Sequence, residues 1–260
     1  MVNKIKIQHQ TSMAQVHLFQ SWVLFLQNLL RPHYEILFSP PLFIPQEYLR
    51  DAKYFDHFPH QLFKVSGIKK STMQYINPAA CLHVYPKLRG KNIETYSTFV
   101  TAHCARFEDG HWHEPYRLAD FHMSELVVIG SLDTINIKLI EIKLLLQNCF
   151  NGFGFGGNFE NATDAFFLGE DEGAKMIQKL KGLKQEYVVQ SDGKDVALAS
   201  INNHEEFFGG RFNISTSDSI ANSMCVAFGI DRLVAFSLET WGSDMNNWPK
   251  EFTKHVKVSQ

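Results

Sequence analysis

The stretch from Cys104 to Gly130, CARFEDGHWHEPYRLADFHMSELVVIG, constrains this chain more than any other. An apolar segment runs into Arg106-Phe107-Glu108, a polar loop spans Asp109 to Tyr116, and Arg117-Leu118-Ala119-Asp120-Phe121 leads into the apolar run Leu126 to Ile129. That order predicts a strand, a long loop and a returning strand, with fixed charge at both bases of the loop. Arginine stays charged and its planar fork matches phosphate oxygens, so Arg106 and Arg117 at one mouth suit a polyphosphate. Phe121, close behind, offers a face for stacking a base. An ordinary antiparallel hairpin with a charged rim would use the same letters, because short motifs are unspecific.

A second feature narrows the choice. Cys225-Val226-Ala227-Phe228-Gly229-Ile230-Asp231-Arg232-Leu233 reads as a buried strand that breaks at Gly229 into a helix, with Arg232 in its first turn. The combination of Arg-x-Glu…Arg-x-x-x-Phe with a later Gly-Ile-Asp-Arg resembles the second and third signature motifs of class II aminoacyl-tRNA synthetases. The resemblance implies an α+β fold, an antiparallel β-sheet flanked by helices. It also implies roles in ATP binding: Arg106 at the α-phosphate, Arg232 at the γ-phosphate and Arg117 at the β/γ end, with Glu108 and Phe121 holding the adenine. Arg106 and Arg232 would be the catalytic pair.

The rest of the chain is compatible with this. At 260 residues it can bury a sizeable core as one domain, residues 1–260. Its 22 phenylalanines suggest a thick core around a sheet. A formal net charge of -2 supplies no global field to attract nucleic acid. Four widely spaced cysteines without a secretory leader argue against a disulfide framework, and no apolar run approaches the ~20 residues of a membrane span. The expected compartment is therefore the cytoplasm, with no membrane partner.

In chain order, Met13, Val16, Phe19, Val23, Leu26 and Leu30 fall at helical spacing, and Arg31-Pro32 ends the run. Tyr34 to Phe38 reads as a strand closed by Ser39-Pro40-Pro41. Helix, strand and proline in this place resemble the first class II motif, which implies a homodimer. Pro45 to Val65 predicts a short helix and an aromatic turn, and Met73 to Tyr85 a small-residue turn carrying Cys81 into a strand. Glu94 to Cys104 should lead into the central hairpin. Leu132 to Phe150 predicts a buried helix and Asn151 to Gly157 a glycine-rich turn, which follows a helix and is no dinucleotide fingerprint. Gly173 to Leu183 reads as a basic helix with Lys175, Lys179 and Lys181. Asp192-Gly193 between two β-rich runs predicts a hairpin, and Phe207 to Ile214 a further strand.

Cys81, Glu125 and Cys225 form a second constellation, in or beside predicted strands. Two thiolates and a carboxylate can hold zinc with a fourth position open, although buried cysteines are more often inert small hydrophobes. Methanogen-type seryl-tRNA synthetases, and the shorter amino acid:[carrier protein] ligases, place Cys, Glu and Cys around one catalytic zinc. Cys81 in Asn-Pro-Ala-Ala-Cys, Glu125 after the second motif and Cys225 before Gly-Ile-Asp-Arg resemble those three places. The resemblance implies zinc on this trio with the substrate amine in its open position, and Lys184 and Glu186, similar to the family's Lys-x-Glu, beside the amino acid; His204, just before the Phe-Phe-Gly run, is a further candidate for that pocket, with a satisfied turn histidine as the alternative. Magnesium is expected with ATP; Glu205 and Glu206 are weak candidates for it. His111 and His113 read as solvated loop residues, Cys104 and Cys149 as core cysteines.

The first motif begins almost at Met1, so no tRNA-binding domain and no tRNA partner are expected. The ligase resemblance then implies activation of a small amino acid, glycine or alanine, and transfer to the phosphopantetheine thiol of an acidic carrier protein. The lysine-bearing helix is a candidate docking face for it. The alternatives are the catalytic part of an atypical seryl-tRNA synthetase, or a non-catalytic paralogue that binds an amino acid or adenylate.

Overall fold

A computed structural model describes residues 12–67, 74–107, 114–162, 181–217 and 219–254. The first element among the described residues is helix Met13–Leu29, started by a capping box in which the Ser12 hydroxyl accepts from the Gln15 amide and Gln15 returns the bond. Strand β1 (Ile36–Phe38) follows, then β2 (Phe43–Pro45), short helices Gln46–Asp51 and Tyr54–His57, β3 (Lys64–Val65) and β4 (Gln74–Ile76). The long hairpin pair is β5 (Thr95–Ala105) and β6 (Asp120–Gly130), after which come helix Leu132–Gly152 and β7 (Asn158–Asn161). β8 (Lys184–Ser191), β9 (Lys194–Glu205), helix Phe207–Phe212, β10 (Asn222–Gly229) and helix Ile230–Trp241 complete the main body, with helix Lys250–Lys254 beyond.

Among the described residues seven strands form one sheet in the order β1-β5-β6-β10-β9-β8-β7, antiparallel except where β1 runs parallel to β5. A second sheet, β2-β4-β3, sits apart from it. The large sheet alternates along β6. Leu126 and Val128 pack toward the long helices, while Val127 and Ile129 pack on the other face with Ile44, Leu49, Tyr85 and Phe208. On the helical face Trp22 stacks on Trp241 with ring centroids 5.9 Å apart and planes at 19°. Phe252, Phe153 and Phe155 close around that pair. Trp248 edges against Phe252. The indole nitrogens of Trp22 and Trp241 donate to the Ser237 hydroxyl and the Phe153 carbonyl, so neither is buried unpaired.

Most expected elements are present, with three differences. Cys81 lies in a 3-10 turn, Ala80–His83, and not in a strand; Pro78 and the small residues around it favour a tight turn. Phe207 to Phe212 is a helix, since Glu205 turns left-handed (φ 50°) and breaks β9. Phe208 and Phe212, four residues apart, then share a face and stack on Tyr85 at 4.0 and 6.0 Å. A Cβ at Gly209 would come 2.0 Å from the Ala221 carbonyl oxygen, so the backbone of this helix packs closely on the chain just before β10. Lys184 and Glu186 belong to β8, which begins earlier than its apolar run suggested. The Asp192-Gly193 hairpin forms with both residues at positive φ. The body of the basic helix, residues 173–180 with Lys175 and Lys179, lies outside the described residues, as do Glu108, His111 and His113.

Candidate active site

Strand register builds the floor of the site. One lateral row across the sheet carries Cys225 on β10, Asn202 on β9 and Lys184 on β8. The row two residues along carries Glu125 on β6, Ala227, Ser200 and Glu186. A spacing of two keeps both rows on one face. All seven residues line a single cavity of about 460 Å³, with Phe121 and Met123 continuing the same face of β6. The lining also includes His57, His60 and Gln61.

Cys81, Glu125 and Cys225 converge at the bottom, all buried, with one donor atom from each lying within 4.8 Å of the others. The Ala80 amide donates to Glu125 Oε1 at 2.9 Å, and Asn202 Nδ2 donates to Cys225 Sγ at 3.3 Å. Hydrogen bonding to Cys225, then burial and the nearby Glu125, push the Cys81 thiol well above its ordinary range. For Cys225 the bond from Cys81 pulls down, but burial and Glu125 outweigh it and the net direction is up. Burial also raises Glu125, against the hydrogen bonds it accepts. Three acids this close cannot all ionise without a cation, so the trio holds protons that a divalent metal would displace. Two sulfurs and one carboxylate oxygen, facing an open cavity, fit zinc in a site with a vacant position.

The three arginines reach the same cavity from three different places: Arg106 at the end of β5, Arg117 at the entry to β6 and Arg232 in the first turn of Ile230–Trp241. Arg106 Nε donates to the Pro78 carbonyl at 2.8 Å, which ties it to the turn bearing Cys81. Its guanidinium stands 5.4 Å from the centroid of Phe121. Arg232 donates to the carbonyls of Tyr116 and Ala197 at 2.7 and 2.9 Å. Lys184 and Glu186 form a 2.9 Å ion pair inside the cavity.

His204 does not line the cavity. It sits fully buried behind it, Nδ1 lying 3.1 Å from the Ser223 hydroxyl and 3.3 Å from that of Tyr85. Burial drops its pKa to about 3, so the imidazole is neutral. Glu205 pairs with Lys181 at 2.9 Å, and neither Glu205 nor Glu206 lines the cavity, so no magnesium ligand is found in them. Cys104 is fully buried, with its thiol pushed up by burial, and Cys149 is pushed up to about 12 in the same way. Sequence reasoning missed Asn202, whose Oδ1 is buried without a hydrogen-bond partner beside Cys225. It lies on the same face of β9 as Ser200 and His204, and the alternation of that strand is the signal that points to it.

A seven-stranded antiparallel-rich sheet, flanking helices and an arginine-lined cavity at the hairpin base define a class II aminoacyl-tRNA synthetase-like catalytic fold. The seryl-tRNA synthetase of M. kandleri, solved with A. aeolicus tRNASec, superposes with a TM-score of 0.82 at 16% identity, over 98% of this chain and 57% of that one. Seryl-tRNA synthetase from Pyrococcus horikoshii complexed with ATP gives 0.73 at 14% identity, over 95% and 56%. In sequence, amino acid--[acyl-carrier-protein] ligase 2 of Bradyrhizobium diazoefficiens is 31% identical over 180 residues, 67% of this chain and 53% of that protein. The chain is therefore a relative of the amino acid--[acyl-carrier-protein] ligases, and it spans about half the length of the curated relatives it matches. No protein-family model matches it.

Proposed function

We propose that this chain is a single catalytic domain that activates a small amino acid, glycine or alanine, with ATP and transfers it to the phosphopantetheine thiol of an acidic carrier protein. The observation that carries the reading is the sharing of one cavity by the Cys81-Glu125-Cys225 trio and the three arginines. The names of its ligase relatives support the acceptor, and the neighbour solved with ATP supports the nucleotide.

In the first step the amino acid carboxylate oxygen attacks the α-phosphorus of ATP, the bond to the bridging oxygen breaks, and pyrophosphate leaves with its electrons. Such a reaction needs positioning and neutralised charge more than proton transfer. Arg106, Arg117 and Arg232 would supply the charge, Arg106 at the α-phosphate, Arg232 at the γ-phosphate and Arg117 at the β/γ end, with Glu108 and Phe121 holding the adenine. Cys81, Glu125 and Cys225 would hold zinc, which would supply Lewis acidity for the substrate amine. Lys184 and Glu186, which line the same cavity, would contact the amino acid. In the second step the carrier thiol sulfur attacks the adenylate carbonyl, AMP leaves, and the thiol proton passes to solvent.

Exposed Ile36 and Leu37 on β1 support assembly as a homodimer through that edge. Four free cysteines suit a reducing cytoplasm, and among the described residues no helix is long and apolar enough to cross a membrane. The deciding experiment is amino-acid-dependent exchange of pyrophosphate into ATP, with zinc measured on the same sample, followed by transfer to a phosphopantetheinylated carrier protein or to tRNA. Exchange with glycine or alanine and thioester formation support the reading. Serylation of tRNA, or binding without exchange, overturns it.

A further inference from the structure

The loop entering β6 and the helix Ile230–Trp241 meet at one residue. The Tyr116 carbonyl accepts from Arg232 Nε at 2.7 Å, and the Tyr116 hydroxyl donates to Glu239 Oε2 at 2.5 Å. Arg232 and Glu239 are two helical turns apart on one face, so the backbone and the phenol of a single residue grip the same helix. Ser191, at the tip of the β8–β9 hairpin, donates to the same Glu239 oxygen at 2.7 Å and lies 3.2 Å from the Tyr116 hydroxyl. The second Arg232 bond goes to Ala197 on β9 of that hairpin. Arg117 follows Tyr116 directly and lines the same cavity. Two cationic side chains from distant parts of the sequence are thus set relative to one another through Tyr116.

We propose that Tyr116 is a positioning residue for ATP: its hydroxyl, held by Glu239 and Ser191, fixes the carbonyl that orients Arg232 and the backbone that presents Arg117. The inference rests on the reading of those arginines as phosphate ligands. Their fork geometry rewards it, because a guanidinium binds phosphate well only when its plane is already aimed. Burial and the bond to Glu239 raise the phenol to about 12, so it stays a donor throughout the working pH range. A purely structural clasp would act on stability alone.

Tyr116→Phe keeps the ring and the carbonyl and removes only the hydroxyl. The expected result is about a tenfold loss of Mg·ATP affinity by calorimetry, the size of one good hydrogen bond. The KM for ATP in pyrophosphate exchange should rise by the same factor, with the amino acid KM nearly unchanged. Glu239→Gln, which retains an acceptor oxygen, should bind ATP as the wild type does, and Glu239→Ala should match Tyr116→Phe. ATP affinity within twofold of wild type in Tyr116→Phe, even with a lowered Tm, overturns the proposal, as does equal behaviour of the two Glu239 variants. Should the wild-type protein show no amino-acid-dependent exchange, the proposed activity fails, while the calorimetric comparison still decides the role of Tyr116.

Discussion

Acid should unfold this protein through His204. The imidazole is fully buried and holds a pKa of about 3, whereas in the unfolded chain it titrates near 6.5. Between those values the unfolded state binds a proton that the native state refuses. Its contribution to stability is therefore complete above pH 6.5 and is lost as pH falls toward 3. The slope is ~1.4 kcal/mol per pH unit, so acidification from pH 7 to 4.5 removes about 3 kcal/mol through this one side chain. That is a large share of the ~5–15 kcal/mol that holds a typical domain together. His204→Asn substitutes a polar group that does not titrate and still offers a partner to Ser223. Urea unfolding followed by far-UV circular dichroism at pH 7 and 4.5 gives the double difference between the proteins. The wild type should lose about 3 kcal/mol more than the variant on acidification. His83, whose pKa burial lowers to about 4, is present in both proteins and cancels. Parallel losses, equal within about 1 kcal/mol, would show that the imidazole accepts its proton in the folded state and refute the reasoning.

Other tests reach the metal centre and the packing. Cys225→Ser should take zinc, measured by mass spectrometry on purified protein, from about one ion per chain to near none, with pyrophosphate exchange lost in parallel. Unchanged zinc in that variant would place the ion elsewhere. Gly209→Ala forces a Cβ to 2.0 Å from the Ala221 carbonyl oxygen and should cost ~2–4 kcal/mol in urea unfolding. Gly193→Ala has open space and only its φ of 72° to resist, so about 1 kcal/mol is expected. Trp22→Ala, which removes the centre of the aromatic cluster, should cost ~3–5 kcal/mol.

Much of the frame was legible in the sequence because local rules and tertiary packing agree there. The helix at Met13 has its cap and its periodicity, β6 has its apolar run, and Gly229 marks the switch from β10 into the next helix. The trio was named from motif context, but its closeness was not legible. Cys81, Glu125 and Cys225 approach only through the register of β6 on β10 and the docking of a turn onto them, neither of which is encoded locally. The same limit hid Asn202, which becomes interesting only once Cys225 is its lateral neighbour. His204 illustrates the reverse error: its place just before the Phe-Phe-Gly run suggested contact with substrate, and its position along β9 buries it against Tyr85 and Ser223 instead. Phe207 to Phe212 was misread because paired phenylalanines and glycines suit a strand. The decisive clue was the four-residue interval between Phe208 and Phe212.

The stacked indoles of Trp22 and Trp241, with Trp248 near them, have a practical consequence for spectroscopy. Three of the chain's four tryptophans sit on the helical face of the sheet, and Trp112 lies outside the described residues. The emission from those three will report when the helices peel away, and it will be nearly blind to loosening on the side of Tyr85, Phe208 and the cavity. A denaturation curve read from their fluorescence alone would carry little signal from the cavity side.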